Sequence, residues 1–117
     1  MGAKGVVAMK VLNYSDEKLE TILSKLIPEF HPKKIFLFGS HVRGFATDDS
    51  DYDLLLIINS SAERKRDRSI RARKSLTGIG IPVDVFIYTE SEFDDWKNEF
   101  SSIPHTVEAE GLEIKVG

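Results

Sequence analysis

The chain contains no cysteine, which removes disulfides, thiolate metal sites and cysteine nucleophiles from consideration and agrees with a reducing cytoplasm. It also lacks any apolar run approaching the roughly 20 residues a membrane helix needs: the N-terminal "MGAKGVVAMKVL" is interrupted by Lys10. Secretion and membrane insertion are therefore not expected, and residues 1–12 read as a flexible leader before a single domain spanning 13–117. Only one tryptophan and two methionines are present, and no repeat or low-complexity tract punctuates the 117 residues. Two separate cores do not fit in that length.

Charge is plentiful but unevenly placed. The net charge of −3 conceals a basic stretch at 62–77 and an acidic one at 89–113. Arg64, Lys65, Arg66, Arg68, Arg71, Arg73 and Lys74 fall on one expected helix. A solvated surface, contact with an acidic partner and contact with nucleic acid all remain open for it, although no aromatic residue interleaves with the charges as in single-strand binders.

Along the chain, "SDEKLETILSKLIPEF" predicts an amphipathic helix capped by Ser15 and ending before Pro32, with Leu19, Ile22, Leu23, Leu26 and Ile27 on its apolar face. "KKIFLFG" and "YDLLLII" read as buried strands. Residues 61–78 form the basic helix, with apolar contacts offered by Ala62, Ile70, Ala72 and Leu76. "PVDVFIY" is a third strand, and Thr89 caps an acidic helix whose Phe93, Trp96 and Phe100 form a stripe expected to pack in the core. A short helix closed by Gly111 and a last strand near 112–116 finish the pattern, an α/β or α+β sandwich.

The chemistry concentrates in "FGSHVRGFATDDSDYDLLLII", residues 38–58. Gly39 and Ser40 directly follow a strand, where a glycine permits close backbone approach to an anion and a serine can help hold phosphate; alone, the pair equally suits a tight turn. Asp51 and Asp53 open the next strand, and alternation sends both side chains to one face, about 6–7 Å apart at the backbone. Two such carboxylates repel unless a cation lies between them, and Mg²⁺ commonly takes one or two carboxylates together with substrate phosphates. Asp84, in an otherwise apolar strand, is expensive to bury unless paired or bound to metal. If the third strand neighbours the second, the three acids converge. Asp48 and Asp49 belong to a solvated turn, His31 and His105 lack a metal-ligand partner at useful spacing, and no mechanistic role is assigned to His41.

"GSHVRGFATDDSDYD" has Gly-Ser, ten residues, then Asp-x-Asp, and with Asp84 downstream it resembles the signature of the DNA polymerase β-like nucleotidyltransferase superfamily. More narrowly, it is similar to stand-alone minimal nucleotidyltransferases (MNT), among them antitoxins of HEPN/MNT toxin–antitoxin systems. The resemblance implies a palm-like mixed β-sheet flanked by helices, ATP as donor and Mg²⁺, two ions, as cofactor. It implies that Asp51 and Asp53 hold metal, that Asp84 binds the metal nearer the acceptor and helps activate its hydroxyl, and that Gly39 and Ser40 cradle the triphosphate. Arg43-Gly44 matches a frequent Arg-Gly of the family, with Arg43 steadying the turn or meeting a phosphate. The implied reaction is transfer of AMP to a hydroxyl of a partner protein, a tyrosine of a HEPN-type toxin. A contact-only binding module and a small-molecule adenylyltransferase are the alternatives, and homo-dimer and hetero-oligomer both remain open.

Overall fold

The computed structural model describes residues 10–117. Its element order is α1 (Glu17–Phe30), β1 (Lys34–Phe38), α2 (Ser40–Arg43), β2 (Tyr52–Ile58), α3 (Lys65–Ser75), β3 (Val83–Thr89), α4 (Glu90–Trp96), α5 (Ile103–Glu110) and β4 (Leu112–Glu113). The four strands form one mixed sheet in the order β3-β2-β1-β4. β2 runs antiparallel to β1 and parallel to β3, so the third strand does neighbour the second.

Alternation along β2 divides the core. Tyr52, Leu54, Leu56 and Ile58 face the layer of α1 and α3, joined there by Leu19, Ile22, Leu23, Leu26 and Ala72. Leu55 and Ile57 face the other side, against Phe93 of α4 and Val107 of α5. The unbroken apolar run of β2 thus reflects helices on both faces of the sheet, as expected.

Several local expectations change. α1 is capped by Asp16 rather than Ser15: its carboxylate accepts from the N–H groups of Lys18 and Leu19 and also from the Tyr52 hydroxyl, at 2.7 Å. Asp16 wins because only it lies at the residue before the helical turn whose free N–H groups need an acceptor. The helix ends at Phe30 with His31 in the left-handed conformation as its cap.

In the basic helix the buried residues are Arg68 and Ala72, while Ile70 is exposed and the helix itself spans only Lys65–Ser75. Arg68 makes a two-pronged ion pair with Glu92, 2.8 Å on each prong, and donates further to the carbonyl oxygens of Ile87 and Glu63. A fork with five donors can be buried when acceptors converge on it, which composition alone does not reveal.

The aromatic stripe also divides. Thr89 does cap α4, through a reciprocal pair with Glu92, but the helix stops at Trp96, leaving Trp96 half exposed and Phe100 at 85% exposure outside it; only Phe93 joins the core. Phe100 falls outside because helical spacing does not continue past the end of α4.

Residues 1–9 of the expected leader lie outside the described residues. Val11 is buried and bridges Val116, so the fold already includes residue 11 rather than starting at 13. Among the described residues, no helix is long and apolar enough to cross a membrane.

Candidate active site

β1 ends at Phe38, whose register partner on β2 is Asp53; the partner of Asp53 on the other side is Asp84. Register partners point to the same face, so Asp53 and Asp84 stand side by side where β2 and β3 begin and β1 ends. Asp51 immediately precedes β2, and its exposed side chain adds a third negative charge.

Asp53 is the most constrained of the three. It is half-buried, and burial first, then the charges of Asp84 and Asp51, push its carboxyl above the ordinary carboxylate range, opposed by His41. The charges of Asp84 and Asp51 thus act against ionisation of Asp53. Among the described residues, no three His, Asp or Glu side chains are gathered as a ready-made metal cage. What the fold brings together is the strand positions and their charges. Asp84 is exposed rather than buried, so solvation, and not an internal partner, keeps it tolerable in β3.

Gly39 supplies the other wall. Its backbone has φ 79° and ψ −149°, a conformation available essentially to glycine alone. A Cβ built there would fall inside the Asp53 carboxylate, with Asp53 Cγ at 3.2 Å. Ser40 opens α2, and the first N–H groups to return to Gly39 O are those of Val42 and Arg43. The N–H groups of Ser40 and His41 thus precede the intrahelical bonds and point outward from the helix start.

Arg43 lies at the far end of this one-turn helix, where its Nε donates to Glu110 Oε1 of α5 at 2.7 Å. That pair ties the end of α2 to α5. His41, to which no role was given from sequence, stacks on Tyr52 with ring centroids 3.9 Å apart, and its charge acts on Asp53. Only the antiparallel return of β2 against β1 brings these residues together; the ten residues between His41 and Tyr52 give no sign of it. Asp48 and Asp49 are exposed, in the solvated turn expected for them.

The donor set suits a hard cation bound jointly with an anion. Carboxylate oxygens are the ligands divalent cations of the Mg²⁺ type prefer, with phosphate oxygens completing the shell, and the bare backbone of Gly39 lets the Asp53 carboxylate sit where a side chain would otherwise stand. A site with this layout, acids on two adjacent strands and a glycine turn facing them, belongs to the class that handles phosphate with a divalent metal.

Residues 16–114 match the nucleotidyltransferase domain family, and the chain belongs to it. The chain is accordingly a transferase of nucleotidyl groups, from a family that uses a nucleoside triphosphate and a divalent metal. It is also similar to the crystal structure of a protein from Sulfolobus solfataricus assigned as a nucleotidyltransferase, with 25% identity over 72% of this chain and 84% of that one and a TM-score of 0.46. No curated protein matches the chain.

Proposed function

We propose that this chain transfers AMP from ATP, with Mg²⁺, to a hydroxyl of a partner protein, and that it is the antitoxin of a HEPN/MNT pair whose toxin supplies that hydroxyl. The observation that carries the reading is the register that sets Asp53 beside Asp84, with the glycine turn closing directly against the Asp53 carboxylate. The antitoxin assignment rests on the resemblance in "GSHVRGFATDDSDYD".

In this reading Asp51 and Asp53 would hold Mg²⁺, with Asp84 as the ligand on the acceptor side; a metal held there would supply charge stabilisation for the attacking and leaving oxygens of an in-line displacement. Ser40 and the N–H groups at the start of α2 hold the triphosphate, and Gly39 lets it approach the sheet. The acceptor oxygen forms its bond to the α-phosphorus as the bond to the leaving phosphate oxygen breaks. Pyrophosphate takes that electron pair, and the hydroxyl proton passes to Asp84. Arg43 meets phosphate only by exchanging its bond to Glu110.

The test is incubation of the chain with Mg²⁺ and α-phosphate-labelled ATP in a lysate of its own host, beside an Asp51→Asn/Asp53→Asn variant. Label on a protein with wild type alone is the expected result. Label on a small molecule or RNA would overturn the protein acceptor, and equal labelling with both proteins would overturn the role of these aspartates.

A further inference from the structure

β3 is the outermost strand on one side of the sheet, so one row of its backbone groups has no strand partner. Which residues carry that row follows from the bonds already made. Tyr52 N–H donates to Pro82 O on the inner side, whereas Ile87 O accepts from Arg68, which comes from outside the sheet. Because inward and outward residues alternate along a parallel strand, Val83, Val85 and Ile87 turn their N–H and C=O groups outward. Arg68 occupies the edge at Ile87. At Val83 and Val85, no hydrogen bond from outside the sheet reaches the backbone among the described residues.

Those two residues line a cleft of about 400 Å³, whose other wall is α3 through Ser69, Arg73 and Leu76, and which also includes Asp84. The cleft therefore runs along the free edge as far as Asp84. Its charge comes from Arg73, which is exposed and has no ion pair among the described residues, in contrast to Arg68 and Arg71. Arg73 also borders a smaller hollow of about 180 Å³ shared with Lys74, extending the cationic rim.

Resting on the reading that the acceptor is a protein, we propose that its acceptor segment docks in extended form on the edge of β3, bonding to the backbone of Val83 and Val85. In this arrangement a hydroxyl-bearing residue lies beside Asp84 and an acidic residue meets Arg73 and Lys74. An added strand lies about 4.8 Å from β3, and its residue opposite Asp84 sends its side chain to the same face within about 5.5 Å between Cβ atoms. Main-chain bonds supply the grip, and the side chains at alternate positions supply selectivity. Arg68 at Ile87 blocks pairing further along, which sets the register. The open ladder is short, so charge attraction at Arg73 contributes a large share of the affinity.

The test selects peptides from a phage-displayed random library on the full chain and, in parallel, on Arg73→Glu, an exposed substitution remote from the core. Wild type is expected to enrich sequences with Asp or Glu near Ser, Thr or Tyr; Arg73→Glu is expected to bind them on the order of tenfold more weakly and to favour Lys or Arg instead. Amide exchange, read residue by residue with the enriched peptide bound, should slow at Val83 and Val85. The same enrichment by both proteins, no enrichment, protection elsewhere, or RNA competing for this face while Val83 and Val85 stay unprotected would each overturn the docking proposal. Labelled Mg-ATP separates this from the underlying reading. A peptide protected at β3 that never takes label sinks protein adenylylation and keeps the edge site. A peptide labelled equally by wild type and Arg73→Glu sinks the edge site and keeps adenylylation.

Discussion

Gly39 and Asp53 face each other across the end of β1 with no room for a β-carbon between them. Gly39→Ala combines that overlap with a backbone conformation costing about 1–3 kcal/mol for a non-glycine residue. It should lower the urea midpoint accordingly and remove the thermal stabilisation by Mg-ATP. Gly44→Ala is the control, since a Cβ there meets nothing within 4 Å and only its positive φ, 85°, is strained. Loss of nucleotide response in both variants would show a general effect of strain instead of a blocked site.

Asp53 carries a charge that its surroundings disfavour. Its carboxyl is held above the ordinary value of 3.8 by burial, Asp84 and Asp51, in that order of cause. The folded chain therefore binds a proton there more readily than the unfolded chain, and stability falls as pH rises through the window above 3.8. Asp53→Asn should be more stable than wild type at pH 7, by less than about 1 kcal/mol because solvent screens a half-exposed group. The gain should shrink as acid protonates wild type, and the variant should lose its Mg-ATP response. Urea titrations at neutral and acidic pH measure the first effect; a variant less stable than wild type at pH 7 would show that Asp53 holds the fold together.

The Arg68–Glu92 pair works in the opposite direction. Two hydrogen bonds from Arg68, chiefly, hold the Glu92 carboxyl down to about 2, against burial and with help from Thr89 N–H. Its contribution to stability is complete above the ordinary value of 4.5 and disappears as pH falls toward 2. Glu92→Gln should flatten the acid limb of a stability–pH profile measured by thermal unfolding. An unchanged acid limb would assign that limb to other carboxylates.

Arg68→Ala leaves Glu92 without its guanidinium and the Ile87 and Glu63 carbonyls without their donor. Breaking such a pair costs about 3–5 kcal/mol, enough to drop the urea midpoint severely. A loss below about 1 kcal/mol would indicate that water replaces the fork without penalty.

Phe100 makes the reverse case. It is 85% exposed and touches His105 only edge-on, with ring centroids 5.6 Å apart. Phe100→Ser should change stability by no more than about 0.5 kcal/mol, whereas Phe93→Ala, in the core, should cost about 3 kcal/mol or more. Comparable losses in the two variants would restore Phe100 to the core.

Local signals made much of this molecule legible. Turn residues, strand-forming runs and a capping threonine located the strands and most helices, because those depend on backbone preference and periodicity. Asp51, Asp53, Asp84, Gly39 and Ser40 stood out because acids and glycine beside strand-forming runs conflict with simple packing. Phe100 misled because periodicity carries no information about where a helix stops, and Trp96 because it stands in the last turn of α4, beyond the reach of the core. Arg68 misled because a charged residue is buried only when distant acceptors, here on β3, α4 and the α3 approach, meet around it.

The sequence by itself determined the alternation that puts Leu54 and Leu55 on opposite faces of a sheet covered by helices on both sides, and it marked the acids that such a sheet would not bury without reason. Only the tertiary structure decided that Asp53 lies between Phe38 and Asp84, that Gly39 closes against its carboxylate, and that β3 is left as an edge with Arg73 above it. Strand order and register are properties of long-range pairing. They depend on how helices on both faces share one apolar core, and no short stretch of residues specifies that division.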